Sequence, residues 1–162
     1  MTTNTTKFQF LPFAICLIIP LAIGAVGSLL TMESVKTWYP TINKPGFNPP
    51  DQVFGPVWST LYILMGISSY LVWKRRKIGP SYNLAISVYL LQLILNLGWS
   101  FLFFHQQQIG FALAEIFVLL AIIIANAIIF YKINKVAGWL FVPYILWVSF
   151  ASYLNYSIYI LN

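Results

Sequence analysis

Long uncharged stretches constrain this chain more than any other feature. Its 162 residues include nine Lys and Arg and three Asp and Glu, placed so that charge is missing from 8–32, 52–73, 78–114, 116–131 and 136–162. A membrane-spanning helix needs about 20 mostly apolar residues, whereas a spanning β-strand is about 10 residues long and alternates in polarity. The stretches are long and do not alternate, so they predict helices in a bilayer. With 60% apolar and 7% charged residues, the chain has too few charges to cover a water-soluble domain.

The stretch 78–114 is too long for one crossing, and a polar segment ending in glycine, from His105 to Gly110, interrupts it. Such a segment is typical of a tight turn. We therefore predict one all-α domain over 1–162, an integral membrane bundle of five transmembrane helices with a long first extramembrane loop. The helices are placed at about 9–31, 51–74, 82–104, 109–131 and 138–160, with the loop over about 32–50. A cleaved signal peptide is the alternative for the first helix, but its apolar run exceeds the usual length of about 7–15 residues.

Basic residues divide unequally between the loops. One side of the membrane receives Lys7, Lys74, Arg75, Arg76, Lys77, Lys132 and Lys135, and the other receives Lys36 and Lys44. The positive-inside rule then predicts a cytoplasmic amino terminus and a carboxyl terminus outside. So short a basic cluster beside the membrane does not predict nucleic-acid binding, although it suits contact with anionic lipid.

The first loop is rich in prolines and aromatic residues. Four prolines restrict their own backbone and that of the preceding residues: they are Pro40, Pro45, Pro49 and Pro50. Trp38, Tyr39 and Phe47 argue against disorder. These features predict a stiff lid over the outer mouth of the bundle. Asp51 then opens the second helix, and Pro56 is expected to bend it.

Residues three, four and seven apart share one face of a helix, and three helices carry a distinctive face. The second carries Trp58, Tyr62, Met65, Ser69 and Trp73; the third carries Gln92, Asn96, Trp99, Ser100 and Phe103; the fifth carries Pro143, Trp147, Ala151 and Asn155. An amide without a partner in hydrocarbon is costly. We therefore predict that these faces point inward and line a pocket, with close core packing as the alternative.

Small residues on the first and fourth helices predict packing faces. They are Gly24 and Ser28 on the first, and Ala114, Ala121 and Ala125 on the fourth. Packing within the bundle and packing between two subunits both remain open, and a homodimer is one outcome. Glu115 is predicted to be interfacial and partly hydrated, with a proton relay as the alternative.

A single cysteine, Cys16, and a single histidine, His105, cannot form a His/Cys metal cluster within one chain. Both are also poor axial ligands for a haem iron. The sequence therefore predicts no metal site and no cofactor.

Four segments resemble one known family. They read W-Y-P-T-I-N-K-P-G-F-N-P-P over 38–50, V-F-G-P-V-W-S-T-L-Y-I-L-M-G over 53–66, L-N-L-G-W-S over 95–100 and P-Y-I-L-W-V-S-F-A-S-Y-L-N-Y over 143–156. The chain resembles bacterial-type members of the translocator protein family, also called tryptophan-rich sensory proteins or peripheral-type benzodiazepine receptors. The resemblance implies a five-helix bundle in a bacterial plasma membrane, often dimeric, whose pocket lies under the first loop and binds porphyrins and benzodiazepine-site ligands.

Carried over by motif, the pocket residues are Trp38, Pro45, Phe54, Trp58, Asn96, Trp99, Trp147 and Ala151; the helical stripe adds Tyr62. The family's light-dependent porphyrin breakdown would fall to Trp58 and Trp147, and no other catalytic residue is expected. Some members bind sterols through a basic residue soon after the tyrosine of the last helix, but no Lys or Arg follows Tyr156. The sequence therefore gives little support to sterol binding.

Three functions follow from this pattern. The leading one is a membrane receptor or binding protein for a flat, largely apolar ligand such as a metal-free porphyrin, with a sensory or stress-regulatory role. The propionates of a bound porphyrin are expected at the outer mouth beside Lys36 and Lys44. The alternatives are a transporter of porphyrin or lipid-like molecules and a light-dependent porphyrin-degrading enzyme.

Overall fold

The computed structural model describes residues 7–76 and 81–162. In this part of the chain the regular structure is helical, with α1 (Phe10–Thr37), α2 (Asp51–Trp73), α3 (Ser81–Ser100), α4 (Ile109–Ile133), α5 (Lys135–Trp139) and α6 (Val142–Leu161). A π-helical turn, Phe101–His105, continues α3. Five spans are long and apolar enough to cross a membrane, counting α3 with its π turn as one and α5 with α6 as another. The predicted all-α bundle of five transmembrane helices is confirmed.

The first loop is shorter than predicted, because α1 continues to Thr37 rather than ending near residue 31. Neither Pro nor Gly occurs over 32–37 to stop the helix. The carbonyl of Ser34 closes its end by accepting hydrogen bonds from the amides of Trp38 (3.0 Å) and Tyr39 (2.8 Å). The loop therefore covers 38–50. With 28 residues, α1 is about 42 Å long and exceeds the bilayer's apolar core of about 30 Å, so its end extends beyond that core.

The turn predicted between the third and fourth helices is present, and α4 begins at Ile109. Gln107 adopts a left-handed backbone conformation with φ 55°. The flanking amides of Gln106 and Gln108 donate to the carbonyls of Phe101 and Leu102, each at 2.9 Å. These bonds satisfy carbonyls that the end of a helix leaves free.

The last span begins earlier than predicted, with the short helix α5. Asn134 caps it, because its side-chain oxygen accepts hydrogen bonds from the amides of Val136 (2.9 Å) and Ala137 (3.3 Å). The Ser68 hydroxyl donates to the Ala137 carbonyl at 2.7 Å and ties α5 to α2. Gly138 permits the tight approach to α4, because a Cβ there would lie 2.7 Å from the Cα of Tyr131.

The bundle interior contains the polar face predicted for the third helix, since Gln92 and Asn96 are both buried. On α4, however, the small-residue stripe faces outward: Ala114 and Ala121 are exposed. The buried face of α4 carries a different set of side chains, namely Ala112, Ile116, Leu119, Ile123, Asn126, Ala127 and Phe130. Of the two alternatives left open for this stripe, packing within the bundle does not apply to Ala114 and Ala121, whereas Ala125 is half-buried.

Glu115 also differs from its prediction as a hydrated, interfacial residue. Both carboxyl oxygens are buried, and neither has a hydrogen-bond partner in the described part of the chain. The side chain lies over Gly98 of α3, where a Cβ would be 3.8 Å from Oε1. The close packing of α3 on α4 thus removes the carboxyl group from water.

Candidate functional site

A cavity of about 470 Å³ lies inside the bundle, under the loop 38–50. Four spans and the loop line it, and eight of its 23 lining residues are aromatic. Those aromatic residues are Tyr39, Phe54, Trp58, Tyr62, Trp99, Phe103, Phe104 and Trp147. Cavities of about 300–1,000 Å³ with largely apolar walls are typical of small-molecule sites.

The three predicted inward faces meet at this cavity. Trp58 of α2, Trp99 of α3 and Trp147 of α6 lie on different walls. Trp58 stacks on Tyr62 with ring centroids 5.7 Å apart, and Trp99 stacks on Phe103 at 5.2 Å. Such aromatic pairs fix one another's orientation, so the cavity presents indole surfaces in defined positions.

A hydrogen-bonded cluster lies beneath the cavity. The Tyr62 hydroxyl donates to the Asn96 side-chain oxygen at 2.7 Å, and the Asn96 amide donates to the Tyr144 hydroxyl at 3.1 Å. Asn96 is buried and does not itself line the cavity. It therefore acts through Tyr62, whose ring does line the cavity. Tyr144 was missed because the predicted stripe on the last helix started at Pro143, which is exposed.

Trp99 is held in place by a second polar contact. Its indole N–H donates to the Asn155 side-chain oxygen at 3.1 Å, and the Asn155 amide donates to the Ile109 carbonyl at 3.3 Å. Asn155 is thus satisfied on both sides and joins α3, α4 and α6 at the outer end of the cavity. Ala151, one turn earlier on α6, lines the cavity as predicted.

The sequence analysis missed the wall that α1 contributes. Gly24, Gly27, Ser28 and Thr31 all line the cavity. Their spacing is that of one helix face, and the sequence predicts a packing face from two of them, Gly24 and Ser28. At Gly24 the Tyr62 ring fills the space of a side chain, since a Cβ there would lie 2.3 Å from that ring.

The loop 38–50 covers the outer end of the cavity through Tyr39, which is 5% exposed. Its hydroxyl donates to the Asn48 side-chain oxygen at 2.9 Å. Burial raises the pKa of Tyr39 to about 12, the Asn48 hydrogen bond opposes this rise, and the negative charge of Asp51 adds to it. The hydroxyl therefore stays protonated at neutral pH.

Two asparagines fasten the same loop to the end of α6. The backbone amide of Asn43 donates to the Asn162 side-chain oxygen at 2.9 Å, and the Asn162 side-chain amide donates to the Asn43 carbonyl at 3.0 Å. Nearby, Phe47 stacks on Tyr153 of α6 with centroids 5.1 Å apart. Together these contacts hold the loop against α6.

The charges at the mouth differ from the expected pair of lysines. Asp51 is the charged residue among those lining the cavity. The Lys44 ammonium donates to the Tyr39 carbonyl at 2.8 Å and lies 4.4 Å from the centre of that ring. Lys36 is exposed on α1. Neither lysine lines the cavity, so the structure does not place them where propionates were expected to meet them.

Two other predicted site residues lie outside the wall. Trp38 packs edge-on against Phe103, with centroids 5.6 Å apart, and so supports the wall from behind. Pro45 is in the loop and does not reach the cavity. Both positions came from the motif resemblance, which does not distinguish a residue that lines a cavity from one that supports its lid.

Metal-binding chemistry finds no candidate in the described ranges: no group of three or more His, Cys, Asp or Glu side chains lies together there. Polar contact with a ligand would come instead from hydroxyl groups on the wall, namely those of Ser28, Thr31, Ser59 and Ser100, and from the Asp51 carboxylate. Of the basic cluster predicted after the second helix, Lys77 lies outside the described residues.

Comparison with known proteins gives a consistent result. The profile described as the TspO/MBR family matches residues 16–161. The tryptophan-rich protein TspO of Chlorobaculum tepidum is 40% identical over 158 residues, which cover 95% of this chain and 98% of that protein. The protein of the same name from Archaeoglobus fulgidus is 42% identical over 142 residues, 88% of this chain and 91% of its own length. The human translocator protein is 36% identical over 137 residues, 83% and 80% of the two chains.

Proposed function

This chain belongs to the TspO/MBR family, and on that premise we propose that its cavity binds porphyrins of the protoporphyrin type and other flat, hydrophobic ligands of the benzodiazepine-site class. Family membership supports a binding role in the membrane; the ligand class is what the family resemblance implies, and the cavity's flat aromatic surfaces support it. The observation that carries it is the set of indole faces from α2, α3 and α6 around one cavity of about 470 Å³.

Shape and dispersion would supply most of the affinity. The rings of Trp58, Trp99 and Trp147 offer flat apolar surfaces to a flat apolar ligand, and stacked aromatic pairs contribute about 0.5–1.5 kcal/mol beyond the area they bury. The hydroxyl groups on α1 and α2 supply a few hydrogen bonds. Such a site accepts ligands of different chemistry provided that they are planar and of suitable size.

The mouth favours ligands whose outer end is uncharged. A carboxylate, Asp51, lines it, whereas Lys44 is engaged by Tyr39. Two ligand carboxylates at this end would meet a like charge, which weakens binding. We therefore expect an esterified porphyrin to bind at least as well as the free acid.

For orientation, we propose that the amino-terminal end of the bundle faces the cytoplasm of a bacterial cell. Lys74 and Arg76 lie just after α2 on the same side as Lys132, which is the basic side by the positive-inside rule. The cavity and its loop then open on the outer side. The exposed alanines of α4, Ala114 and Ala121, are the surface through which we propose that two copies pair.

The proposed function is tested by titrating the purified protein with protoporphyrin and its dimethyl ester while following tryptophan fluorescence. We expect saturable quenching that is lost when Trp58 and Trp147 are both replaced by alanine. The matched control is Trp139→Ala, since Trp139 is 65% exposed and outside the cavity. Unchanged saturable quenching in the double variant would refute the cavity as the site.

A further inference from the structure

A second, shallower hollow lies on the outer surface of the bundle, between α2 and α6. This groove, of about 560 Å³, is lined by Pro56, Val57, Thr60 and Leu61 from α2 and by Pro143, Leu146, Trp147 and Phe150 from α6. Apart from the Thr60 hydroxyl, which donates to the Pro56 carbonyl at 2.9 Å, its side chains are apolar. The groove therefore suits contact with lipid chains and bilayer-dissolved molecules.

Trp147 lines both the groove and the inner cavity. On the cavity side it meets Phe54 edge-on, with centroids 5.7 Å apart. On the groove side it meets Phe150 at 5.8 Å. Phe54 lines the cavity alone and Phe150 lines the groove alone. One indole ring thus stands between the two spaces, with an aromatic neighbour in each.

No polar contact fixes the Trp147 ring. Its indole N–H is buried and has no acceptor in the described part of the chain, whereas the N–H of Trp99 donates to Asn155. A buried N–H usually finds a partner, because leaving one unpaired is unfavourable. Turning this ring would therefore break no hydrogen bond, in contrast to turning Trp99.

The loop at the outer mouth is more firmly attached. Opening it requires breaking the paired hydrogen bonds between Asn43 and Asn162 and separating the stacked rings of Phe47 and Tyr153. A flat apolar ligand is also concentrated in the bilayer rather than in water. Both points favour a route through the side of the bundle.

We propose that the groove between α2 and α6 is a lateral portal, with Trp147 as its gate, through which flat apolar ligands pass between the bilayer and the cavity. The proposal rests on the proposed function, because it assumes that the cavity holds such a ligand. A porphyrin ester dissolved in the bilayer would bind first in the groove, and rotation of the Trp147 ring would then admit it to the cavity.

The test blocks the groove without altering the cavity. In a Cys16→Ala background, Thr60→Cys is labelled with a bulky maleimide. The control is Ser149→Cys with the same label, since Ser149 is exposed on α6 and lies outside the groove. Like Thr60, Ser149 donates its hydroxyl to the backbone carbonyl four residues earlier in its helix. Stopped-flow fluorescence then follows porphyrin dimethyl ester passing from donor vesicles to protein in liposomes.

We expect the label at position 60 to slow association and dissociation by at least about fivefold while the equilibrium Kd changes by less than about twofold, because a blocked path changes rates and not end states. The label at position 149 is expected to change neither rate. Leu146→Phe narrows the groove without a label and is expected to act in the same direction. Asn162→Ala, which removes both hydrogen bonds to the backbone of Asn43 and so loosens the loop, is expected to leave both rates unchanged.

Unchanged rates in both groove variants, with binding intact, would overturn the portal and leave the proposed function standing. Faster exchange in Asn162→Ala would instead assign the route to the loop. Loss of saturable binding in the unmodified protein is a different result, because it would contradict the proposed function itself.

Discussion

Replacing Gly66 by alanine tests the close packing of α1 on α2, which sets the position of one cavity wall. A Cβ at Gly66 would lie 2.7 Å from the Leu17 side chain and 2.9 Å from both the Cys16 carbonyl oxygen and the Leu17 Cα. Favourable contacts between carbon atoms begin near about 3.5 Å. Two of the three neighbours are backbone atoms, so a side-chain rotation cannot relieve the overlap and α1 must move.

Two terms decide the size of the effect. An alanine inside a helix is favoured over glycine by about 1 kcal/mol, whereas overpacking costs about 1–3 kcal/mol. We therefore expect a net loss of up to about 2 kcal/mol for Gly66→Ala. Gly55→Ala is the matched control on the same helix, because a Cβ there meets nothing within 4 Å, and we expect it to be neutral or stabilising by up to about 1 kcal/mol.

Unfolding in a fixed detergent mixture, followed by circular dichroism, measures both variants against the parent protein. Because α1 lines the cavity, ligand affinity in Gly66→Ala is also expected to fall. Equal stability of the two variants would refute the close approach of α1 and α2 and, with it, the assignment of α1 as a cavity wall.

Three further outcomes are expected. Asp51→Asn removes the carboxylate at the mouth, so free-acid protoporphyrin is expected to bind about two- to fivefold more tightly while its dimethyl ester is unaffected; equal effects on both ligands would contradict the charge argument. Asn96→Ala leaves the buried hydroxyls of Tyr62 and Tyr144 unpaired and is expected to lower the unfolding free energy by about 1–3 kcal/mol. Tyr62→Phe, which removes one of these hydrogen bonds, is expected to lower it less. A larger loss for Tyr62→Phe than for Asn96→Ala in thermal unfolding would refute the hydrogen-bonded cluster. Tyr39 has a pKa of about 12 in the folded protein against about 10 when unfolded, so its contribution to stability is complete below about pH 10 and is lost as the pH rises toward 12. In Tyr39→Phe the free energy of unfolding is expected to fall less steeply over this pH range. An unchanged dependence of that free energy on pH would argue against burial of the hydroxyl.

Much of the fold follows from apolar length alone. The uncharged stretches and the polar break before Gly110 predict five transmembrane helices, and the described ranges contain five helical spans long and apolar enough to cross a membrane. The membership suggested by the segments around Trp58 and Trp147 is also confirmed. These features are local, since each depends on a run of about 20 residues. They can therefore be predicted from the sequence without knowledge of tertiary contacts.

The arrangement of the helices could not be read in the same way. Small residues at Gly24 and Ser28 leave space, but the sequence does not say whether a neighbouring helix or a cavity fills it. The same holds for Glu115, whose carboxyl group is buried beside Gly98 by the packing of α4 on α3. Periodicity identifies a face, whereas the partner of that face is a property of the whole bundle.

The charges at the mouth illustrate a second limit. Lys44 was a reasonable partner for a ligand carboxylate by its place in the loop, yet Tyr39 engages its ammonium group. Asp51 was assigned to the start of α2 and also lines the cavity. Which charges face a ligand depends on how the loop folds back, and proline spacing alone does not determine that.

Photo-cross-linking tests most directly whether the cavity between α1, α2, α3 and α6 holds the ligand. A benzodiazepine-site ligand carrying a diazirine group is activated when bound, and the modified residues are mapped by mass spectrometry. We expect adducts on cavity residues such as Trp58, Trp99 and Trp147, suppressed by excess porphyrin ester. Adducts confined to exposed residues such as Trp139, or adducts that excess porphyrin ester does not reduce, would contradict the claim.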